Sequence, residues 1–313
     1  MDISAGCDVI GDVHGHCAKL ERLLARLGYR EAAGAWRHPE GRKALFVGDL
    51  IDRGPAQLKT CALVRAMAEE GEALCLMGNH EYNAIRHQLG LRDLRGANDP
   101  HRSFLKEAPE GSPAYRDWLA WFKRLPLWLD LGAFCAVHAC WDEACMRVLQ
   151  EAGLGADAVM DEGLHRLAGR KDDAARSPAR RAVYDALETV LKGPEVRVPG
   201  RGFKDKDGHE RHEIRTRWWD ADAKTFQELA FMDDTSGIPD DPLPPGLRPI
   251  RPIPLQKPVF IGHYWLAPKA SKEPLSAMVA CVDYSAGIGG PLVAYRWMPG
   301  DAGLEAGRFV EAG

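Results

Sequence analysis

The sequence predicts an α/β fold arranged around one shared polar site, on three observations. Residues 8–90 alternate short apolar runs with amphipathic stretches of helical period. Three of these runs end in a glycine followed by metal-capable side chains. They are Val9-Ile10 before Gly11-Asp12-Val13-His14-Gly15, Leu45-Phe46-Val47 before Gly48-Asp49-Leu50-Ile51-Asp52-Arg53-Gly54, and Ala73 to Met77 before Gly78-Asn79-His80-Glu81. The composition, 45% hydrophobic and 27% charged over 313 residues, is that of an ordinary globular chain with ample length for a core. Ligands of open α/β sheets collect at the carboxyl ends of strands, and buried polar groups need partners. Three such ends therefore point to a common site.

Taken in order, Asp8–Ile10 reads as a strand and Cys17–Leu27 as a helix with Leu20, Leu23, Leu24 and Leu27 on one face, closed by Gly28. Lys43–Val47 is the second strand, Ala56–Glu69 a helix opened by Pro55, and Ala73–Met77 the third strand. A helix begins within Tyr82–Gln88. Strand–helix–strand at this spacing implies parallel pairing through right-handed crossovers. Residues 92–125 read as polar and helical, with Trp118, Trp121 and Phe122 as a packed face. Trp128–Asp130 and Ala133–Val137 are short strands, the second ending in His138. From Trp141 to Leu191 the chain is helical and charged, and Arg211–Trp219 reads as a strand carrying Arg215 and Arg217. Ile238 to Pro258, with eight prolines, reads as an extended linker. Pro258–Ile261, ending in Gly262-His263, then Ala277–Val282 and Pro291–Trp297 complete the strands. The expectation is one domain over residues 1–313, with 142–257 as a helical or irregular insertion or cap.

Net charge is −4, from 41 basic and 45 acidic residues, so no global basic field argues for nucleic acid. The run Arg166 to Arg181 is predominantly basic and reads first as a solvated helix face. The amino-terminal residues show neither a basic nor an apolar leader pattern, and no apolar run approaches the roughly 18 residues that span a membrane. The eight cysteines form no CxxC pair. Cys135, Cys140 and Cys145 fit no structural zinc spacing, and a reducing cytoplasm is the expected home.

The strand ends together offer Asp12 and His14; Asp49, Asp52 and Arg53; Asn79 and His80; His138; and His263. Carboxylate, imidazole and amide oxygen suit a borderline divalent metal, and hydrolytic sites of this kind often hold two ions about 3.5–4 Å apart. Such a pair needs a bridging carboxylate, and Asp49 is the best placed. Asp12 and His14 share a side because alternate strand residues do.

The ordered set GDVHG, GDLIDRG, GNHE, VHA and GH resembles the calcineurin-like metallophosphoesterases, in the phosphoprotein-phosphatase-like bacterial branch related to serine/threonine phosphatases and diadenosine-tetraphosphate hydrolases. The resemblance implies a four-layer fold: two mixed β-sheets in a sandwich flanked by helices. It implies two divalent metal ions, manganese first and iron or zinc as alternatives. Asp12, His14 and Asp49 would hold one, and Asp49, Asn79, His138 and His263 the other. His80 would be the general acid, oriented by Asp52, and Arg53 would clamp phosphate. These roles agree with what imidazole beside carboxylate, and the guanidinium fork, can do. The family's second phosphate-binding arginine is matched by Arg215 or Arg217, in Arg215-Thr216-Arg217-Trp218, and the sequence does not choose between them. Asp283 is a further carboxylate near the site or a turn residue, and Glu81 reads as a supporting group.

The run Gly262-His263-Tyr264-Trp265 lacks the second histidine of Gly-His-x-His, which favours this branch. Three functions follow as expectations. The first is hydrolysis of phosphomonoesters on phosphoproteins, by direct attack of a water-derived hydroxide held between the metals. The second is hydrolysis of dinucleoside polyphosphates such as diadenosine tetraphosphate. The third, which the complete ligand set opposes, is silent phosphate binding. The expected partner is a phosphorylated protein or a small phosphoester or nucleotide, with no membrane and no nucleic acid. His38, His87, His101, His165, His209 and His212 have no motif company and read as ordinary histidines.

Overall fold

The motif loops hang from two mixed sheets stacked face to face. The computed structural model describes residues 2–154, 169, 177–200, 202–204, 210–232, 234–247 and 255–312. The first sheet has the order Phe309–Ala312, Leu292–Trp297, Cys7–Ile10, Lys43–Phe46, Ala73–Cys75. Its last three strands run parallel, with Val9 opposite Leu45 and Phe46 opposite Cys75, whereas Leu292–Trp297 is antiparallel to Cys7–Ile10. The second sheet has the order Val279–Cys281, Val259–Ile261, Cys135–Val137, Trp128–Asp130. Val259–Ile261 is parallel to both neighbours, and the outer pair is an antiparallel hairpin.

Strand periodicity sorts the core. Val9, Leu45, Phe134, Ala136, Phe260, Ala280 and Tyr295 are buried together between the sheets. Ile10, Phe46 and Cys75 face outward and pack with Leu20, Leu24, Cys61 and Val64 of the helices Cys17–Leu27 and Gln57–Glu69. The first of these helices ends where its sequence says it should, at Gly28 with φ +99°. On the other side, Ala139 and Cys140 donate to the Val190 carbonyl, tying helix Pro178–Lys192 to the end of strand Cys135–Val137. The expected two-sheet sandwich flanked by helices is the observed architecture.

Several expectations change in detail. The helix after Gly78 starts at Asn79, so Asn79 and His80 lie in its first turn rather than on the strand end. Glu81 makes this possible by accepting the Gly78 amide at 3.0 Å. A hairpin, Arg30–Ala32 with Ala35–Arg37, interrupts the first crossover. Arg211–Trp219 is not one strand: Glu210–Arg211 pairs with Phe203–Lys204, and Glu213–Arg215 pairs with Glu195–Arg197. The proline-rich run is more than a linker at its start. Ile238 is buried with Val196, Ile214, Phe226 and Leu229 in a small separate core, against which Leu243 and Leu247 also pack. Trp118, Trp121 and Phe122 are buried as expected. Most of the basic run from Arg166, with His165 and His209, lies outside the described residues; Arg181, within them, is exposed and pairs with Asp185 at 2.6 Å. No helix among the described residues is long and apolar enough to cross a membrane.

Candidate metal centre

All five motif loops meet at the carboxyl ends of parallel strands, and the backbones of three, those of His14, Asp49 and His263, are strained to do so. Eight described non-glycine residues have positive φ, and seven of them are His14, Asp49, Asp52, Arg53, His263, Trp265 and Ser285. Such conformations cost about 1–3 kcal/mol each and persist only where the surroundings enforce them. Here the enforcement is visible. Glu81, fully buried, accepts the amides of Asp49 at 2.9 Å, Leu50 at 2.9 Å and Ile51 at 3.3 Å. The Gln57 side chain accepts the Asp52 amide at 2.6 Å, and Asp283 accepts those of Trp265 at 2.8 Å and Ser285 at 2.9 Å. Asp283 is thus the turn carboxylate that shapes the His263 loop. Gly78 has no room for a side chain, because a Cβ would meet the backbone nitrogen and Oδ1 of Asp49.

Asp49 is the hub. Its Oδ2 lies 3.7 Å from His14 Nε2 and 3.8 Å from His80 Nε2, and its Oδ1 lies 3.5 Å from His138 Nε2. Two groups of donor atoms lie within 4.8 Å of one another: His14, Asp49 and His80; and Asp49, His138 and His263. Asn79 Oδ1 adds to the second, 3.1 Å from His138 Nε2. Asp12 stands beside them, holding the His263 amide with Oδ2 at 3.1 Å.

The unsatisfied atoms show what this centre is built to hold. Asp12 Oδ1, His14 Nε2, Asp49 Oδ2 and both ring nitrogens of His263 are buried without a hydrogen-bond partner. His14 Nδ1 lies 2.9 Å from the Ile51 carbonyl and His138 Nδ1 2.7 Å from the Val47 carbonyl. A carbonyl only accepts, so each Nδ1 carries the proton and each Nε2 presents a lone pair to the centre. Lone pairs facing carboxylate and amide oxygens at these distances suit cations placed among them. The donor set, oxygen and nitrogen without thiolate, fits divalent first-row metals.

The charges of the centre agree. Burial, then Asp283 and Asp49, drives the Asp12 carboxyl well above its usual range. Burial, with His80 next, lowers His14 to about 3, and burial, with Arg215 next, lowers His263. Burial would also lower His80, but Asp49 and the hydrogen bond to Asp52 outweigh it and raise it. His80 Nδ1 donates to Asp52 Oδ2 at 2.5 Å.

The arginines separate. Arg53 lies over the Trp265 ring at 4.2 Å, with its Nε buried and unpartnered. Arg215 lies 5.8 Å over Tyr264, the neighbour of His263, also with an unpartnered buried Nε. Arg217 is exposed and donates to the Ala230 carbonyl at 3.2 Å. Sequence reasoning missed two residues. Lys192, paired with Glu188 at 2.6 Å, contributes to lowering His263 and so sits within electrostatic reach of the centre. His101, read as an ordinary histidine, places Nδ1 3.1 Å from Asp52 Oδ1. Neither carries a motif signal: Lys192 ends a helix and His101 precedes one, and only the tertiary structure fixes their positions. A cavity of about 520 Å³ elsewhere, between Trp141, Trp218, Trp219 and Lys257, contains none of the candidate metal ligands, and of the Arg215–Trp218 run only Trp218 lines it.

Comparison with known proteins concentrates on this half of the chain. Residues 8–148 match the family described as calcineurin-like phosphoesterase. A Geobacillus protein named bis(5'-nucleosyl)-tetraphosphatase PrpE [asymmetrical] is 43% identical over 137 residues, 42% of this chain and 56% of that one. A protein of the same name from Oceanobacillus iheyensis is 35% identical over 129 residues, 40% of this chain and 51% of that one. The chain thus spans about half the length of these curated relatives. Among solved structures, a cold-active protein-tyrosine phosphatase of a psychrophilic Shewanella species superposes with a TM-score of 0.50 at 17% identity, over 98% of this chain and 80% of that one. At that identity the likeness speaks for the fold.

Proposed function

Residues 8–148 carry a calcineurin-like phosphoesterase domain, and from that premise we propose that the protein is a metal-dependent phosphoric ester hydrolase whose substrate is a dinucleoside polyphosphate. The observation that carries the substrate is the 43% identity to a bis(5'-nucleosyl)-tetraphosphatase across the motif-bearing half. This reverses the order in which the motifs alone rank the phosphomonoester and dinucleotide readings. The surroundings of the centre support it: Arg53, over Trp265, and Arg215, over Tyr264 beside His263, offer two guanidinium groups, matching the several negative charges of a polyphosphate chain.

In this reading Asp12, His14 and Asp49 would hold one divalent cation, and Asp49, Asn79, His138 and His263 would hold the other. Bound divalent metals supply Lewis acidity toward phosphoryl oxygens and acidify a coordinated water. The chain's own residues do the rest. Arg53 offers its fork to phosphate oxygens while Trp265 fixes its plane, and Arg215 approaches from the His263 side. His80 keeps Nδ1 on Asp52, so its Nε2 carries a proton into the centre for the departing oxygen. Residues 1–313 act as one unit, and Arg215, in strand Glu213–Arg215 of the expected 142–257 insertion, comes beside Tyr264.

The test is product analysis on manganese-loaded protein given diadenosine tetraphosphate, p-nitrophenyl phosphate and a phosphopeptide under matched conditions. Asymmetric cleavage predicts ATP and AMP from the dinucleotide as the fastest reaction. Rapid turnover of the phosphopeptide with an inert dinucleotide would restore the phosphoprotein reading. Inertness toward all three with every divalent metal would remove the enzyme reading.

A further inference from the structure

Asp52 is shared by two imidazoles, one on each oxygen. His80 Nδ1 donates to Oδ2 at 2.5 Å, and His101 Nδ1 lies 3.1 Å from Oδ1. Asp52 and His101 are both buried, 2% and 1% exposed. Each oxygen of a buried carboxylate must be satisfied, and His101 satisfies the one that His80 cannot reach.

His101 is itself firmly placed. Its amide donates to Asp99 Oδ1 at 2.9 Å, and Asp99 also takes the Arg92 side chain at 2.8 Å. Its ring stacks on Phe104 at 5.5 Å and meets the edge of His87 at 5.7 Å. Helix Arg102–Glu107, which it precedes, is anchored in turn: Glu107 accepts the amides of Gln57 at 2.8 Å and Leu58 at 3.0 Å. Gln57 is the residue that holds the Asp52 amide. The 99–107 segment therefore grips Asp52 twice, once through His101 and once through Glu107 and Gln57.

We propose that His101 is a positioning residue for the acid pair: it locks the Asp52 carboxylate in the orientation that keeps His80 Nε2 directed at the leaving oxygen. The inference rests on the reading of His80 as the proton donor. Without the His101 donor, Asp52 has a free buried oxygen and turns to satisfy it, and the His80 ring loses its reference. The metal ligands are untouched.

The test is leaving-group dependence in metal-loaded protein, using adenosine 5'-aryl phosphates from p-nitrophenyl to phenyl. The variants are His101→Phe, which keeps the ring stack and removes the donor, His101→Asn, which restores a donor, His80→Asn and the His80→Asn/His101→Phe double variant. His101→Leu replaces the Phe variant if the latter does not fold. His101→Phe should retain its metals and KM, and lose kcat by roughly tenfold or less with p-nitrophenolate leaving but on the order of 100-fold with phenolate, within the range of general-acid effects. His101→Asn should recover most of that loss, and the double variant should be no slower than His80→Asn. A loss independent of the leaving group, or a double variant slower by the full His101 factor, assigns His101 a purely structural role and overturns the proposal. If His80→Asn itself shows no leaving-group dependence, the acid reading falls and the His101 assignment falls with it. If His80→Asn shows the dependence and the His101 variants do not, only the latter falls.

Discussion

Replacing Glu81 by alanine should unravel the Asp49 loop in metal-free protein. The carboxylate accepts four buried amides, those of Asp49, Leu50, Ile51 and Gly78, at 2.9 to 3.3 Å. A buried donor left without a partner costs roughly 1–3 kcal/mol, so four cost about 4–12 kcal/mol before relaxation. One effect runs the other way. Burial, and then the Asp49 charge, raises the Glu81 carboxyl from 4.5 to about 7. Removing the ionised group at pH 8 therefore returns about 3 kcal/mol, at roughly 1.4 kcal/mol per unit. An acid whose folded pKa is raised stabilises the fold fully only below its unfolded value, and that stability is lost as pH rises through about 7. The wild type thus already bears this cost at pH 8 and not at pH 5, and the alanine penalty should be larger at the lower pH. We expect a net loss of about 5 kcal/mol at pH 8, comparable to the whole stability of a marginal domain. Urea denaturation of chelated wild type and Glu81→Ala at pH 5 and 8 measures it. A difference under about 1 kcal/mol at both pH values would refute the view that Glu81 holds the loop.

Three further outcomes follow from the same geometry. Asp8→Ala should destabilise by about 3–5 kcal/mol, because it strands the buried Arg42, which pairs with Asp8 at 2.8 Å; thermal denaturation reads it. Arg53→Lys should raise KM about tenfold with metal content unchanged, because lysine lacks the planar fork and the stack on Trp265. Gly78→Ala should abolish metal binding, since its Cβ would strike the Asp49 backbone, whereas Gly303→Ala, in open space, should be silent in the same titration.

The motif loops were legible in the sequence because each couples a buried strand to polar groups that only a shared site can satisfy. The helix Cys17–Leu27 was legible to the residue, since its leucine spacing and Gly28 are local signals. What stayed hidden depends on distant partners. The strand Phe309–Ala312 exists because it pairs with Leu292–Trp297, and its own residues carry no strong strand pattern. Arg215 and Arg217 look equivalent in sequence; the turn beyond strand Glu213–Arg215 leaves the first by Tyr264 and sends the second to solvent. His101 looked ordinary because its partner, Asp52, lies 49 positions away. The Ile238 segment looked like a linker because its prolines hide the three apolar residues that pack against a small core.

The central claim, that Asp49 joins two cation sites, is tested most directly by metal analysis of protein purified without chelator, alongside Asp49→Asn. The wild type and His80→Asn should each hold two divalent ions per chain, with His80→Asn nearly inactive. Asp49→Asn should hold one at most and be inactive as well. Two tightly held ions and full turnover in Asp49→Asn, or a wild type that binds no divalent metal, would contradict the account.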